Sequence, residues 1–371
     1  MLKKILAIAL SVMMLLGVLT ACGSDAAGET EAAAPTAPTA PNDGVIDILM
    51  VGNSFCYYYV EELYGLLMAN PNREYQKVQV WNLYYSGCTL SQHYNWWQSG
   101  TPNYRLYKTD ENGRIELEPS GQWTLEAALR QGRWDYISLQ GTVQGGSYAT
   151  GNLSELRTLM APLADALLGY FHQEHPYAQL LWHRTWPFEV GRISGSTTYD
   201  EALLEKYNAG MQEICDWMCG EFTKDKDYSL FQVNSGAAWP IARAENAKLE
   251  VSLIPVEGGL CARLGVRNEK TFPYFPLNSN AGDGYHEGDI GGGQYLNACV
   301  WFEIITGQSV VGNTYIPEYK TTATLADSLL AQVQVVKTAN GYAVSEELVA
   351  KLQQAAHDAV ASTGFTVADA G

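Results

Sequence analysis

Val45-Ile46-Asp47-Ile48-Leu49-Met50-Val51-Gly52-Asn53-Ser54-Phe55 is the stretch that decides the fold. Apart from Asp47, its first seven residues are apolar and rich in β-branched side chains, the composition of a strand buried on both faces. Gly52 then permits a tight turn. Past the turn, Val60, Leu63, Tyr64 and Leu67 share one helical face. The reading is strand, turn, helix.

The same rhythm continues outward. Strands are expected at 78–83, where VQVWNL alternates, at 136–139, at 179–182 and at 230–233. Helices are expected around 125–129, closed by Gly132, at 156–171 with Pro162 kinking it or opening a new first turn, and at 199–219. A buried helix at 297–305 should stop at Gly307, and a last amphipathic helix should begin near Ser345 with Glu346 and Glu347 in its first turn. Asn112-Gly113 suggests a hairpin tip, while 97–122 and 249–280 are otherwise irregular. Strand and helix alternate, so a mostly parallel sheet covered on both faces follows.

In such sheets ligands meet the carboxyl ends of the strands. Ser54 therefore stands where a nucleophile would be useful, and a helix following it would turn its N–H groups toward an oxyanion. A serine needs a base. Asp283-Gly284-Tyr285-His286 offers one: Asp283 would accept from one ring nitrogen of His286 while the other faces Ser54. Two further strand-end loops, Tyr85-Ser86-Gly87-Cys88-Thr89-Leu90 and Leu139-Gln140-Gly141-Thr142, could add the Gly87 N–H and the Gln140 amide to that of Ser54 as oxyanion donors. His93, Asn53 and Trp186 are candidate substrate contacts, although a lone histidine or tryptophan more often packs or bonds locally.

GNSF after the first strand, the glycine block YSGCTLSQHY, WDYISLQ, the TWPF and NSGAAW segments, and DGYH before a helix together resemble the SGNH (GDSL-like) hydrolase superfamily, over roughly 45–307. The resemblance implies a flavodoxin-like three-layer α/β/α sandwich with a mostly parallel central sheet. It also implies Ser54 as nucleophile, His286 as base, Asp283 as its orienting acid and Gly87 as an oxyanion donor. Two positions depart from the pattern: Asn53 replaces the usual acid, and Gln140 stands where an asparagine is typical.

The N-terminus has the layout of a bacterial export signal: Lys3 and Lys4, an apolar run at 5–19 too short to span a bilayer, then small residues before Cys22. Leu19-Thr20-Ala21-Cys22 resembles a lipobox, which implies lipidation of Cys22. The expected organisation is a signal peptide at 1–21, a lipidated cysteine with a flexible Ala/Pro/Thr linker at 22–44, and a hydrolase domain with a C-terminal helical extension at 45–371. The protein would then sit in the cell envelope, lipid-anchored on the extracytoplasmic side.

Loss of Lys3 and Lys4 with the signal would take the formal charge from −17 to −19, which argues against nucleic acid or an anionic lipid surface as partner. The membrane is expected to be met through the Cys22 lipid only, and no obligate protein partner is evident. Ten Trp and 23 Tyr suit stacking on sugar rings as well as a large packed core. Six cysteines besides Cys22 have spacings that select no pairing, and Cys215 and Cys219 read as buried thiols. His172-Gln173-Glu174-His175 lacks the spacing of a zinc helix, so no metal and no organic cofactor is expected. The leading expectation is a serine esterase acting on O-acyl, notably acetyl, esters of carbohydrate through an acyl-enzyme. The alternatives are a non-catalytic glycan-binding lipoprotein on the same fold, or a lipase or lysophospholipase.

Overall fold

The computed structural model describes residues 44–141, 148, 151–188, 192–194, 197–245, 292–320 and 334–368, all within one compact unit, Ala40–Gly371. The expected export signal, Cys22, Cys261, Asp283 and His286 lie outside the described residues.

A seven-stranded sheet forms the centre. Its parallel part comprises β1 (Val45–Gly52), β2 (Lys77–Tyr84), β5 (Tyr136–Gln140), β6 (Gln179–Arg184) and β9 (Leu230–Asn234), in the spatial order β2-β1-β5-β6-β9. That is the flavodoxin order. The hairpin β3 (Arg105–Thr109) and β4 (Ile115–Leu117) extends it antiparallel beyond β2. At the hairpin tip Asp110 accepts from the N–H groups of Asn112 and Arg114, and Gly113 takes φ +77° under the Tyr64 ring.

Both faces of the sheet are covered, which is why β1 reads as a nearly continuous apolar run. Ile48, Met50, Val78 and Val80 face α1 (Val60–Ala69), α6 (Ser235–Glu245), α7 (Gly293–Thr306) and α8 (Glu346–Ala361). Leu49, Val51, Leu83, Ile137 and Leu139 face α2 (Leu90–Ser99), α3 (Leu125–Leu129), α4 (Leu153–Glu174) and α5 (Glu201–Cys219). Each such side chain, fully buried, contributes roughly 2 kcal/mol of apolar transfer. The result is a three-layer α/β/α sandwich.

α7 is buried along its length between the sheet-packed α1 and the outer α8, and Gly307, at φ +64°, ends it. Buried Glu303 ties α7 to α8, accepting from the Val310 N–H (2.8 Å) and meeting His357 Nδ1 (3.0 Å). Beside them lies a small antiparallel sheet, β10 (Glu318–Lys320), β12 (Gly341–Val344) and β11 (Val335–Lys337). A short hairpin, β7 (Arg192–Ser194) and β8 (Thr197–Tyr199), precedes α5.

Several boundaries differ from expectation for identifiable reasons. No new first turn begins at Pro162, which lies inside one helix, because Leu156, Met160, Ala164, Leu167 and Phe171 form a continuous buried stripe that outweighs one lost backbone bond. α5 begins after Asp200, whose carboxylate caps the Leu203 N–H, so Tyr199 belongs to β8. The short α3 ends at Arg130 rather than Gly132, which instead lies against the Trp134 ring. α2 was not expected, although Thr89 and Gln92 form a capping box at its start.

Candidate active site

The flavodoxin order reverses direction between β1 and β5, and the crevice at that switch point is where open α/β sheets hold ligands. Gly52, the last residue of β1, delivers Asn53 and Ser54 into it. The chain does not enter an α-helix there. Ser54–Cys56 form a single 3-10 turn, and α1 starts only at Val60 after Tyr59. The expected helix dipole is therefore displaced from the serine, and the donors near it belong to individual turns instead.

Ser54 is half-buried, and no described residue bonds its side chain. Its neighbours are firmly held. Asn53 Oδ1 accepts from the Phe55 N–H (3.0 Å) and from Gln140 Nε2 (2.9 Å), and Asn53 Nδ2 donates to the Cys88 carbonyl (3.1 Å). The Asn53 N–H donates to Gln140 Oε1 at 3.1 Å. Cys56 is fixed from below by Asn82, whose amide donates to both the Cys56 carbonyl and Sγ. Phe55 rests edge-on against Trp186 (centroids 5.0 Å), which stacks on Trp239 (5.2 Å).

The loop after β2 closes the other side of the crevice. The Tyr85 N–H donates to the Gly52 carbonyl (3.2 Å) and the Cys88 N–H to the Tyr85 carbonyl (3.2 Å), a β-turn with Gly87 at φ +65°. Gly87 is exposed, and among the described residues its N–H has no acceptor. Tyr85 stands beside it with its ring 38% exposed, held edge-on by Trp96 (4.7 Å), which in turn meets Tyr104 edge-on.

The remaining candidates take inner places. His93 is fully buried: Nδ1 lies 2.7 Å from the Tyr104 hydroxyl and 3.6 Å from Cys88 Sγ, and burial holds the imidazole pKa down at about 3. It is a neutral brace behind the Gly87 turn. Burial, then the neighbouring Cys56, pushes the Cys88 thiol far above its ordinary range, so it stays protonated. Trp186 and Gln140 are likewise enclosed. Asp283 and His286 lie outside the described residues, so the partners expected for Ser54 have no geometry here. The described cysteines, Cys56, Cys88, Cys215, Cys219 and Cys299, are free thiols, with Cys215 buried and Cys219 half-buried. Among the described residues no cluster of His, Cys, Asp and Glu could hold a metal ion, and no helix is long and apolar enough to cross a membrane.

Sequence reasoning missed two buried polar residues next to this crevice, His183 and Arg184 at the end of β6. His183 Nε2 lies 3.3 Å from Ser235 Oγ, and its pKa is held at about 3 by burial. Arg184 donates to Asn234 Oδ1 and to the carbonyl (3.0 Å) and Oδ1 (2.5 Å) of Asn208. The polar pair ending an apolar strand in QLLWHR was the available signal.

The fold has been seen before. A DUF4886 family protein from Bacteroides uniformis is similar over 87% of this chain and 97% of its own, with a TM-score of 0.59 at 20% identity. More distant are a putative GDSL-like lipase from Parabacteroides merdae (TM-score 0.38, 15% identity, 70% of this chain and 94% of that one) and an acetylxylan esterase from Geobacillus stearothermophilus (0.36, 12%, 70% and 94%). No known family and no characterised protein matches the sequence itself.

Proposed function

We propose that the protein is a serine ester hydrolase with Ser54 as nucleophile, exported and tethered by a lipid on Cys22. The observation that carries this reading is the setting of Ser54: half-exposed at the switch point, in a turn that Asn53 and Gln140 hold by hydrogen bonds. Ser54 Oγ adds to the acyl carbonyl carbon while His286, oriented by Asp283, takes the hydroxyl proton. The N–H groups of Ser54 and Gly87 stabilise the oxyanion. Collapse breaks the bond to the leaving alkoxide, which takes the proton from His286. Water, deprotonated by His286, then releases the acid and frees Ser54.

The substrate class that suits this site is an O-acyl, notably acetyl, ester on a neutral glycan. Tyr85, rigid on Trp96 and exposed beside Gly87, offers a flat apolar surface of the kind sugar rings stack on, and the acidic chain disfavours anionic lipid. The test is fluorophosphonate labelling of residues 45–371 together with turnover of acetylated sugars. Ser54→Ala should abolish labelling and lower kcat by roughly 10³-fold or more. Equal labelling of both proteins would sink the nucleophile assignment. Absence of labelling in either would favour a non-catalytic glycan-binding protein, and preference for long-chain esters a lipase.

A further inference from the structure

Three loops meet at the switch point: the nucleophile turn after β1, the Gly87 turn after β2 and the end of β5. One pair of amides joins them all. Gln140 meets Asn53 with both ends of its side chain, accepting from its N–H and donating to its Oδ1. Asn53 spends its own amide on the Gln140 side chain and on the Cys88 carbonyl in the Gly87 turn. Both are at most 2% exposed.

The pairing is chemically specified. Gln140 must accept and donate at once, as must Asn53, and in each case a carboxylate would supply only acceptors. The fit is also close. A Cβ on Gly52 would lie 2.5 Å from Gln140 Oε1, so the glycine lets the amide reach across the strand end. Cys56 Sγ adds a contact from the same turn, 3.1 Å from the Asn53 carbonyl.

We infer that Gln140 is a positioning residue: acting through Asn53, it locks the Ser54 turn and the Gly87 turn into one unit, so that nucleophile and oxyanion donors keep a fixed separation. This rests on the esterase reading above. The two bonds from Gln140 to Asn53 support the turns from behind, and the distance between Ser54 Oγ and the Gly87 N–H is what the unit controls. Misplacement on the order of 1 Å is enough to cost about 10²-fold in rate.

The experiment is a double-mutant cycle on Asn53→Ala and Gln140→Ala, read in kcat, KM and the rate of fluorophosphonate labelling, well below the unfolding temperature. Each single change should lower kcat by roughly 10–100-fold with KM altered less than about threefold, and the double variant should be no worse than the poorer single. If the two losses multiply, Gln140 acts on the reacting atoms independently of Asn53 and the inference is overturned. Should Gln140→Ala fail to fold, Gln140→Met keeps the side-chain length while removing both polar ends and enters the same cycle. A wild-type protein inert to every ester and to the probe overturns the esterase reading instead. Urea unfolding midpoints of the same four proteins then still judge the lock, since purely additive shifts would show that the two amides are uncoupled.

Discussion

The C-terminal edge of the sheet carries two buried polar clusters, built to opposite effect. At the β1–β5 end, Asn53 and Gln140 are neutral and satisfy one another, and above them Ser54 is left half-exposed. At the β6–β9 end, Arg184 keeps a buried charge among the amides of Asn234 and Asn208, and His183 lies enclosed by Ser235, Trp186 and Trp301. The difference comes from what covers each end. Gly236, at the start of α6, comes so close to the chain that an added Cβ would lie 2.0 Å from the Thr185 carbonyl, and the helix seals the second strand end. A place at the end of a parallel strand is thus not enough to make a site.

Removing the buried charge tests the sealed end most severely. Arg184→Met is close in volume but strips the donors from Asn234 and Asn208, and breaking such a network by one partner should cost about 3 kcal/mol of stability. Turnover per folded molecule should stay at the wild-type level. Urea titration paired with active-site labelling checks both halves. Adding Asn234→Leu should recover part of the loss, because the stranded acceptor goes with it. A fall in kcat comparable to that of Ser54→Ala would instead join the two clusters into one site.

Acid should weaken both ends, each through one buried neutral imidazole. His183 and His93 have ordinary values near 6.5 in the unfolded chain and about 3 in the folded one. Between these values the unfolded chain binds more protons, so the stability tied to each neutral imidazole is complete above pH 6.5 and drains away as pH falls toward 3. His183→Gln retains a partner for Ser235 and removes one titrating group. Its unfolding midpoint should therefore fall less steeply with acidification, by about 2 kcal/mol relative to wild type at pH 5. Parallel curves for the two proteins would show that His183 titrates alike in the folded and unfolded chains.

Much of this contrast was legible in the residues. The apolar run of β1, Gly52 and the alternation of strand and helix were enough to place Ser54 at a strand end, and Gly307 marked the end of α7. The structure bears out the three-layer α/β fold. What could not be read was which polar residues turn inward. His93 was a candidate substrate contact and His183 drew no notice, and only the packing of Tyr104 and Ser235 against them shows that both are enclosed. Local caps also escaped attention: Thr89 and Gln92 specify α2 by two hydrogen bonds, a signal carrying no hydrophobic period. At Pro162 the converse holds: a long buried stripe carries one helix past a local breaker, with no new first turn.

The smallest effect expected is also the finest probe of the open end. Gly87 and Gly307 have nearly the same backbone, φ +65° and +64°, and a Cβ on either would meet nothing within 4 Å. Alanine at each should therefore cost the same stability, about 1 kcal/mol for a left-handed residue with a side chain. Only Gly87 offers its N–H at the crevice, in a turn bonded to Gly52 on one side and, through Cys88, to Asn53 on the other. The strain of Gly87→Ala is relieved by a shift of that turn and should lower kcat several-fold. The strain of Gly307→Ala is spent at a helix end and should leave kcat unchanged. Matched melting curves with unmatched rates would locate an oxyanion donor at Gly87, while matched rates would remove it from the reaction.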